Sequence, residues 1–482
     1  MPSTSSPSTE GPVHIVGGGL AGSEAAWQLG SRGIPVVLHE MRPVRTTEAH
    51  ETDRLAELVC SNTLGSKMPH TAPGIFKEEL KALGSLIVDA AWSAHVPAGG
   101  ALAVDRDRFS SSVTQALEGL GCVSIRRGEV TELPGVDGPR TIIATGPLTS
   151  PALSRAIHAL AGDDDLYFYD AIAPIVNVES VDHSIAYWGN RYDEEADGDY
   201  LNLPMNKEQY ETFMDALSAG ECTAPKNGEE ERFFQGCQPI EAIASKGRES
   251  LRFGPMKPVG LRDPRTGHRP WAVVQLRRET CQGAAMNMVG FQTKLKYGEQ
   301  TRIFRMIPGL AEAEFLRLGS VHRNTFVNTP RILDRALRLR VAPHISMAGQ
   351  VVGCEGYTES SAMGLWAALC VVAERQGREL TPPPTDSMFG ALLDYLASAD
   401  TRHFQPMNVN FGLLPPDTIR VKKRDKKQRR VERGQACVAL FSEWAEGQGL
   451  LHSGPGQSLA VEPPASSEAA TPEAVTPDPS SA

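Results

Sequence analysis

The feature that most restricts this chain is a glycine cluster near its start. Gly17-Gly18-Gly19-Leu20-Ala21-Gly22 follows the short apolar run Pro12-Val13-His14-Ile15-Val16. It precedes a stretch with Ala25, Ala26 and Leu29 on one helical face. The spacing predicts a strand, a tight turn and a helix from Ala21 to about Ser31. Gly33 stops that helix, and Pro35-Val36-Val37-Leu38-His39-Glu40 reads as a second strand. This order begins an α/β domain with a parallel sheet. Gly17 permits the turn, Gly19 lets the backbone approach a pyrophosphate, and Gly22 lets helix and strand pack closely. The helix N-terminus presents unpaired N–H groups and a positive dipole end to phosphates. Glu40, 18 residues after Gly22, is placed to accept ribose hydroxyls. The unit binds a dinucleotide.

Later segments favour FAD over NAD. Arg140-Thr141-Ile142-Ile143-Ala144-Thr145-Gly146 looks like the short strand that closes the cleft in two-dinucleotide-fold flavoproteins. His344 to Gln350 reads as a strand into a glycine turn, followed by Gly353, Gly356 and a helix from about Ser360 to Arg375. That element resembles the one that meets the ribityl chain. The expected FAD contacts are Gly17, Gly18, Gly19, Leu20, Ala21, Gly22, Glu40, Gly146, Gly349, Gln350 and Gly353.

A chain of 482 residues is too long for one simple core. From about Asp182 to Gly319 charged and aromatic residues mix with many Pro and Gly, and Lys207 to Ala219 reads as a helix. The expected fold is α/β: a Rossmann-type FAD-binding domain, a parallel sheet with helices, over residues 12–181 and 320–450. It carries an inserted α+β substrate domain over 182–319. The tails, 1–11 and 451–482, have few large apolar residues and are expected to be disordered.

No apolar run approaches the roughly 18 residues that cross a bilayer. The first ten residues lack the basic and apolar regions of a secretory signal, so a cytoplasmic, non-membrane protein is expected. The eight cysteines show no metal-ligand spacing; most read as buried thiols, and no metal site is expected. The net charge of −10 opposes a polyanionic partner, but the average hides Lys422-Lys423-Arg424-Asp425-Lys426-Lys427-Gln428-Arg429-Arg430, with Arg433 following. Local sign steers a polyanion more than the total does.

Several longer segments carry a resemblance. They are Glu40-Met41-Arg42-Pro43, Leu58-Val59-Cys60-Ser61-Asn62-Thr63, Phe234-Gln235-Gly236-Cys237-Gln238-Pro239-Ile240-Glu241 and Phe253 to Leu261. Val289 to Leu295, Arg305 to Leu310, His322-Arg323-Asn324-Thr325 and Phe404 to Gly412 complete the set. Together they resemble the folate- and FAD-dependent tRNA uracil-5 methyltransferases, from about Pro12 to Gly449. The resemblance implies transfer of a one-carbon unit from 5,10-methylenetetrahydrofolate to C5 of uridine 54 in the tRNA T loop. Reduced FAD, recharged by NAD(P)H, supplies the reducing equivalents.

Uracil C5 becomes nucleophilic when a thiolate adds at C6, because the ring is then an enolate. Cys237 and Cys60 match the cysteines that this family's chemistry implicates. Cys237, in a Gly-Cys-Gln-Pro turn, is the expected C6 nucleophile. Cys60 is expected after a helix, near the flavin, protecting or relaying the activated carbon or acting as a base. His322 is the candidate to stack on the pterin, and Asn408, in Phe404 to Asn408, to read its polar edge. Lys422, Lys423, Arg424, Lys426, Lys427, Arg429 and Arg430 are expected to grip tRNA phosphates. Arg248, Arg252, Lys257, Arg262, Arg277, Arg278, Lys294 and Lys296 extend that surface toward Cys237. The rival readings are a related flavin-dependent tRNA-modifying enzyme, a small-molecule NAD(P)H–flavin oxidoreductase, and an RNA-binding protein with purely structural FAD.

Overall fold

The computed structural model describes residues 11–47, 49–162, 166–192, 198–223, 233, 238–279, 284–402, 404–415 and 426–451. Both tails beyond these bounds, Cys237, and Lys422 to Arg424 lie outside the described residues.

The apolar run after Pro12 forms the strand Val13–Val16, and the glycine turn leads into the helix Leu20–Gly30. Val36–Glu40 then pairs in parallel beside the first strand, Val13 opposite Val36. One six-stranded sheet results, in the order Arg338–Leu339, Ala342–Met347, Thr141–Ile143, Val13–Val16, Val36–Glu40, Val123–Arg127. All its pairings are parallel except that of the edge strand Arg338–Leu339.

Helix Leu20–Gly30 packs against helix Tyr357–Arg375, whose residues are buried nearly all round. From Ala362 to Ala373 it is apolar on every side, as an interior helix requires, while its start buries the polar Thr358, Glu359, Ser360 and Ser361. The contact is close because glycines sit at the crossing. A Cβ on Gly364 would fall 2.0 Å from the Ala21 carbonyl oxygen, and one on Gly22 would fall 1.8 Å from that of Gly17. The buried Glu24 carboxylate accepts bonds from Gln28 Nε2 (2.8 Å), Ser85 Oγ (2.8 Å) and Ile87 N (3.0 Å), fixing the start of helix Leu86–Ser93.

A second six-stranded sheet is wholly antiparallel, in the order Tyr187–Gly189, Tyr200–Met205, Ala272–Arg278, Ala285–Met288, Ile175–Asn177, Phe315–Arg317. It takes in a strand seven residues before Asp182. Alternation gives it two unlike faces. Leu201, Leu203, Val274 and Leu276 join a separate apolar core with Tyr210, Phe213 and Leu217 of helix Lys207–Ala219. Asn202, Gln275 and Arg277 face the other way, toward the first unit. There Arg277 Nε donates to Asn62 Oδ1 (3.1 Å), and Tyr200 Oη donates to the Ala98 carbonyl (2.9 Å). The large majority of buried polar groups in proteins are bonded in this way. Two smaller sheets complete the fold: Thr63–Ser66, Ala101–Val104 and His95–Val96 in one, Val321–Phe326 with Leu166–Ala171 in the other.

Candidate functional site

The cleft at the carboxyl ends of the parallel strands spans about 1010 Å³, space open to solvent included, and is lined by Gly17, Gly18, Gly19, Leu20, Ala21, Glu40, Gly146, Gly349 and Gln350, among others. Ligands of open α/β sheets bind at this end. Gly17 has φ +107°, and a Cβ there would strike the Ala144 carbonyl at 2.5 Å. A Cβ on Gly19 would meet nothing within 4 Å. Its backbone therefore stands open to the cleft, and the helix that follows has no side-chain cap on its N-terminal N–H groups. Those uncapped donors suit an anionic ligand.

Glu40 lies in the wall, but its carboxylate is already engaged. Oε2 accepts from Gly18 N (2.9 Å), and Oε1 accepts from Arg42 N and Nε (both 2.9 Å). Burial alone would raise this carboxyl, yet the bonds and charge of Arg42 hold it below the usual carboxylate range. A carboxylate has about four acceptor positions, so ribose hydroxyls would share it with Arg42. Arg42 in turn reaches Glu57 Oε2 (2.8 Å), an ionic chain the sequence reading missed. Gly353 does not line the cleft. Its φ is +80°, and a Cβ would meet the Phe404 ring at 2.5 Å, so its role here is close packing.

A second cleft, also of about 1010 Å³, shares Val59, Pro147, Leu148, Gln350 and Tyr357 with the first. Its further wall contains Cys60, Ser61, Asn324, Glu359 and Asn408. Tyr357 stands between the two spaces. Its hydroxyl accepts from Cys60 N (2.9 Å) and Ser61 N (3.1 Å) and donates to the Ser61 carbonyl (3.1 Å). Burial, then the neighbouring Cys60, push the phenol up, which keeps it protonated as a donor. Cys60 follows an irregular segment rather than the expected helix, because the run from Glu51 is tied by bonds to Glu57 and Tyr357 instead of its own backbone ladder. Glu359 is buried and pushed up by desolvation; it accepts from Val409 N (3.1 Å) and so holds the loop bearing Asn408.

His322 sits in the strand Val321–Phe326, opposite Asp170, two residues before Asn324. The chain just after Cys237 is anchored: Ile240 N donates to the Gln292 carbonyl (2.7 Å), and Glu241 holds Thr293 Oγ1 and Lys294 N. Thr293 and the carbonyl of Ile172, a wall residue of the second cleft, both crowd Gly319, where a Cβ would fall 2.5 Å from each. Of the basic run, Lys426 and Lys427 open the helix Lys426–Gly447. Arg429 lies 3.7 Å from Glu432, and Arg430 stands over the Phe411 ring at 5.7 Å. Cys354 and Cys437 are core thiols pushed up by burial, Cys437 to about 11. Among the described residues no helix is long and apolar enough to cross a membrane, and no cluster of His, Cys, Asp and Glu is placed to hold a metal ion.

The family described as glucose inhibited division protein A matches residues 12–379. A methylenetetrahydrofolate–tRNA-(uracil-5-)-methyltransferase TrmFO of Paramagnetospirillum magneticum is 54% identical over 436 residues, covering 90% of this chain and 96% of that one. Proteins of the same description from Azorhizobium caulinodans and Heliobacterium modesticaldum are 54% and 52% identical, covering 90% and 89% of this chain and 95% and 97% of their own. The solved structure of Aquifex aeolicus GidA in its form II crystal superposes with a TM-score of 0.65 at 15% identity, over 92% of this chain and 74% of that one. At that identity the likeness concerns the fold alone. The chain belongs to the glucose inhibited division protein A family and, within it, to the methylenetetrahydrofolate–tRNA-(uracil-5-)-methyltransferases.

Proposed function

We propose that this chain methylates C5 of uridine 54 in the tRNA T loop, with FAD in the first cleft and the pterin of methylenetetrahydrofolate in the second. The coarser statement, a methylenetetrahydrofolate-dependent tRNA uracil-5 methyltransferase, follows from membership of the family. The observation that carries the finer reading is the continuity of the two clefts at Gln350 and Tyr357, with Cys60 on the far wall.

FAD fits the residues present. The open backbone at Gly19 and the uncapped helix start suit its pyrophosphate, and Glu40 suits its adenosine ribose. Bound there and reduced by NAD(P)H, the flavin supplies the electrons that take the carbon from methylene to methyl. Asn408, Asn324 and Glu359 offer amide and carboxyl partners to a polar heterocycle, and His322 is assigned the stacking role on the pterin. The Cys237 thiolate adds to uracil C6, and C5 takes the methylene carbon as its two C–N bonds to the folate break and release tetrahydrofolate. The C5 proton leaves to a base, a two-electron reduction turns methylene into methyl, and the S–C6 bond breaks to return the thiolate. Cys60 serves as the second thiol, beside the protonated Tyr357. Lys422 to Arg430 grips phosphate, with Arg430 standing over the Phe411 ring.

The test is mass mapping of T-loop RNA incubated with enzyme, isotopically labelled folate and NAD(P)H. The label is expected at C5 of one uridine; incorporation from S-adenosylmethionine instead would overturn the cofactor assignment. Cys237→Ala should stay yellow yet fail to trap 5-fluorouridine T-loop RNA, whereas a trapped adduct in that variant would move the nucleophile elsewhere.

A further inference from the structure

Cys60 is bracketed by two arginines at the junction of the two units. Arg106, the first residue of the helix Arg106–Glu118, donates through Nη1 to the carbonyl of Leu58, two residues before Cys60. Arg277 Nε donates to Asn62 Oδ1 (3.1 Å), two residues after it, and Asn62 Nδ2 donates on to the Arg278 carbonyl (2.9 Å). Arg277 and Glu279 alternate onto the polar face of the antiparallel sheet, the face turned toward the first unit. There Glu279 Oε2 accepts from Arg106 Nε (2.6 Å). Arg277, expected on an RNA-binding surface, is buried, as is Glu279, and the Arg106 side chain is only 19% exposed. Cys60 itself lines the second cleft.

Two guanidiniums thus stand on one carboxylate. Burial pushes Arg277 down; the Glu279 charge opposes that, and the Arg106 charge adds to it. The ion pair is joined by a single bond. Arg106 Nη2 and Glu279 Oε1 are both buried without a partner, where a two-bond pair would have joined them. Asp105 is spent on the helix N-cap, accepting from Arg108 N (3.1 Å). The cluster of three therefore carries one positive charge that its own acid does not cancel. A charge taken out of water calls for an anion nearby. Beyond Glu279, the charges of Tyr357 and Cys60 bear on Arg106. Tyr357 stays a phenol because burial pushes it up, which leaves the thiol. The carboxyls in the same cleft wall are engaged elsewhere: Glu355 accepts from Gln350 Nε2 (2.8 Å), and Glu359 from Val409 N (3.1 Å).

We propose that Arg106 is a positioning residue for Cys60: with Arg277 it brackets the Cys60 backbone and supplies the uncancelled positive charge that balances the thiolate. The deprotonated sulfur then faces the second cleft, as a relay or base for carbon transfer requires. The inference rests on the role assigned to Cys60 above and names what holds that thiol in its working form.

The test is the rate at which iodoacetamide alkylates Cys60, read by peptide mass mapping from about pH 6 to 10 on the full-length, flavin-loaded protein. The thiolate displaces iodide, so the midpoint of the rate profile reports the charge on sulfur. Flavin content reports folding. Arg106→Gln and Glu279→Gln break the same bond but change the cluster's charge in opposite senses. Arg106→Gln is expected to move the midpoint up by about one pH unit or more, and Glu279→Gln to move it down. The double variant should return close to wild type, and Arg106→Lys should keep most of the wild-type profile. A merely structural role would move both single variants the same way, so shifts that are not opposite in sign overturn the assignment. If Arg106→Gln loses its flavin, Glu279→Gln decides alone, and a midpoint that stays or rises overturns it. Alkylation needs neither folate nor RNA, so the labelled-folate experiment judges the methyl-transfer reading separately.

Discussion

The two sheets solve opposite problems. The parallel sheet makes its cleft from main chain: glycines at positive φ, an uncapped helix end and carbonyls in close contact. The antiparallel sheet has one apolar face and one polar face, and it meets the first unit through side chains such as Arg277, Tyr200 and Asn62. A site made of backbone tolerates no added atoms but needs few particular side chains. A junction made of side-chain hydrogen bonds tolerates small shifts but fails when one partner is removed. Cofactor binding and substrate positioning should therefore respond to different substitutions.

The largest effect should come from the main-chain side. Gly22→Ala places a methyl 1.8 Å from the Gly17 carbonyl oxygen, so strand and helix must separate. We expect a loss of about 3 kcal/mol or more, with colourless protein, read by flavin absorbance and thermal melting. A yellow protein with unchanged melting would show that the crossing is looser than the geometry requires. Next in size is Asn62→Ala, which strips one hydrogen-bond partner from the buried Arg277 and frees the end of its strand. A loss of about 2 kcal/mol is expected, with methylation falling well below the retained flavin. Equal losses of flavin and activity would mean that the two units are not separable in this way.

The smallest expected effect, taken per pH unit, is one of pH, and it also belongs to the first unit. Glu79 is fully buried, its carboxylate receiving Met388 N (2.9 Å) and Phe389 N (2.8 Å), and desolvation pushes it up to about 8. Its folded value lies above its unfolded one, so its contribution is complete below about pH 4.5 and is lost as pH rises toward 8. In that window it lowers stability with rising pH, by at most about 1.4 kcal/mol per unit. Glu79→Gln should flatten the slope in melts taken from pH 5 to 8; an unaltered slope would place the titration elsewhere. Lys77, two residues earlier, is pushed down to about 8 by burial, and acts above that window, where its contribution grows with pH.

The glycine turn, the strands beside it and helix Lys207–Ala219 were legible because they are local. A period of two or 3.6, a capping Asn206 and a residue without Cβ carry their meaning within a few positions. The cleft-lining glycines followed, except that Gly353 serves packing against Phe404, a partner 51 residues away that no local pattern shows. Cys60 was found through motif resemblance, while the helix expected before it is absent because distant hydrogen bonds fix that segment. Tyr357, Glu359 and Asn62 went unassigned for the same reason: their partners are far away in sequence.

Sequence alone settled that this chain binds a dinucleotide in a parallel α/β unit and belongs with the folate-dependent tRNA methyltransferases, because backbone conformation and long motifs are written in consecutive residues. Only the tertiary structure decided that two clefts meet at Tyr357, that Glu40 is shared with Arg42, and that Arg278 is tied to the segment of Cys60. Those facts depend on hydrogen bonds between residues up to 297 positions apart, and which buried donors and acceptors find one another is determined by packing.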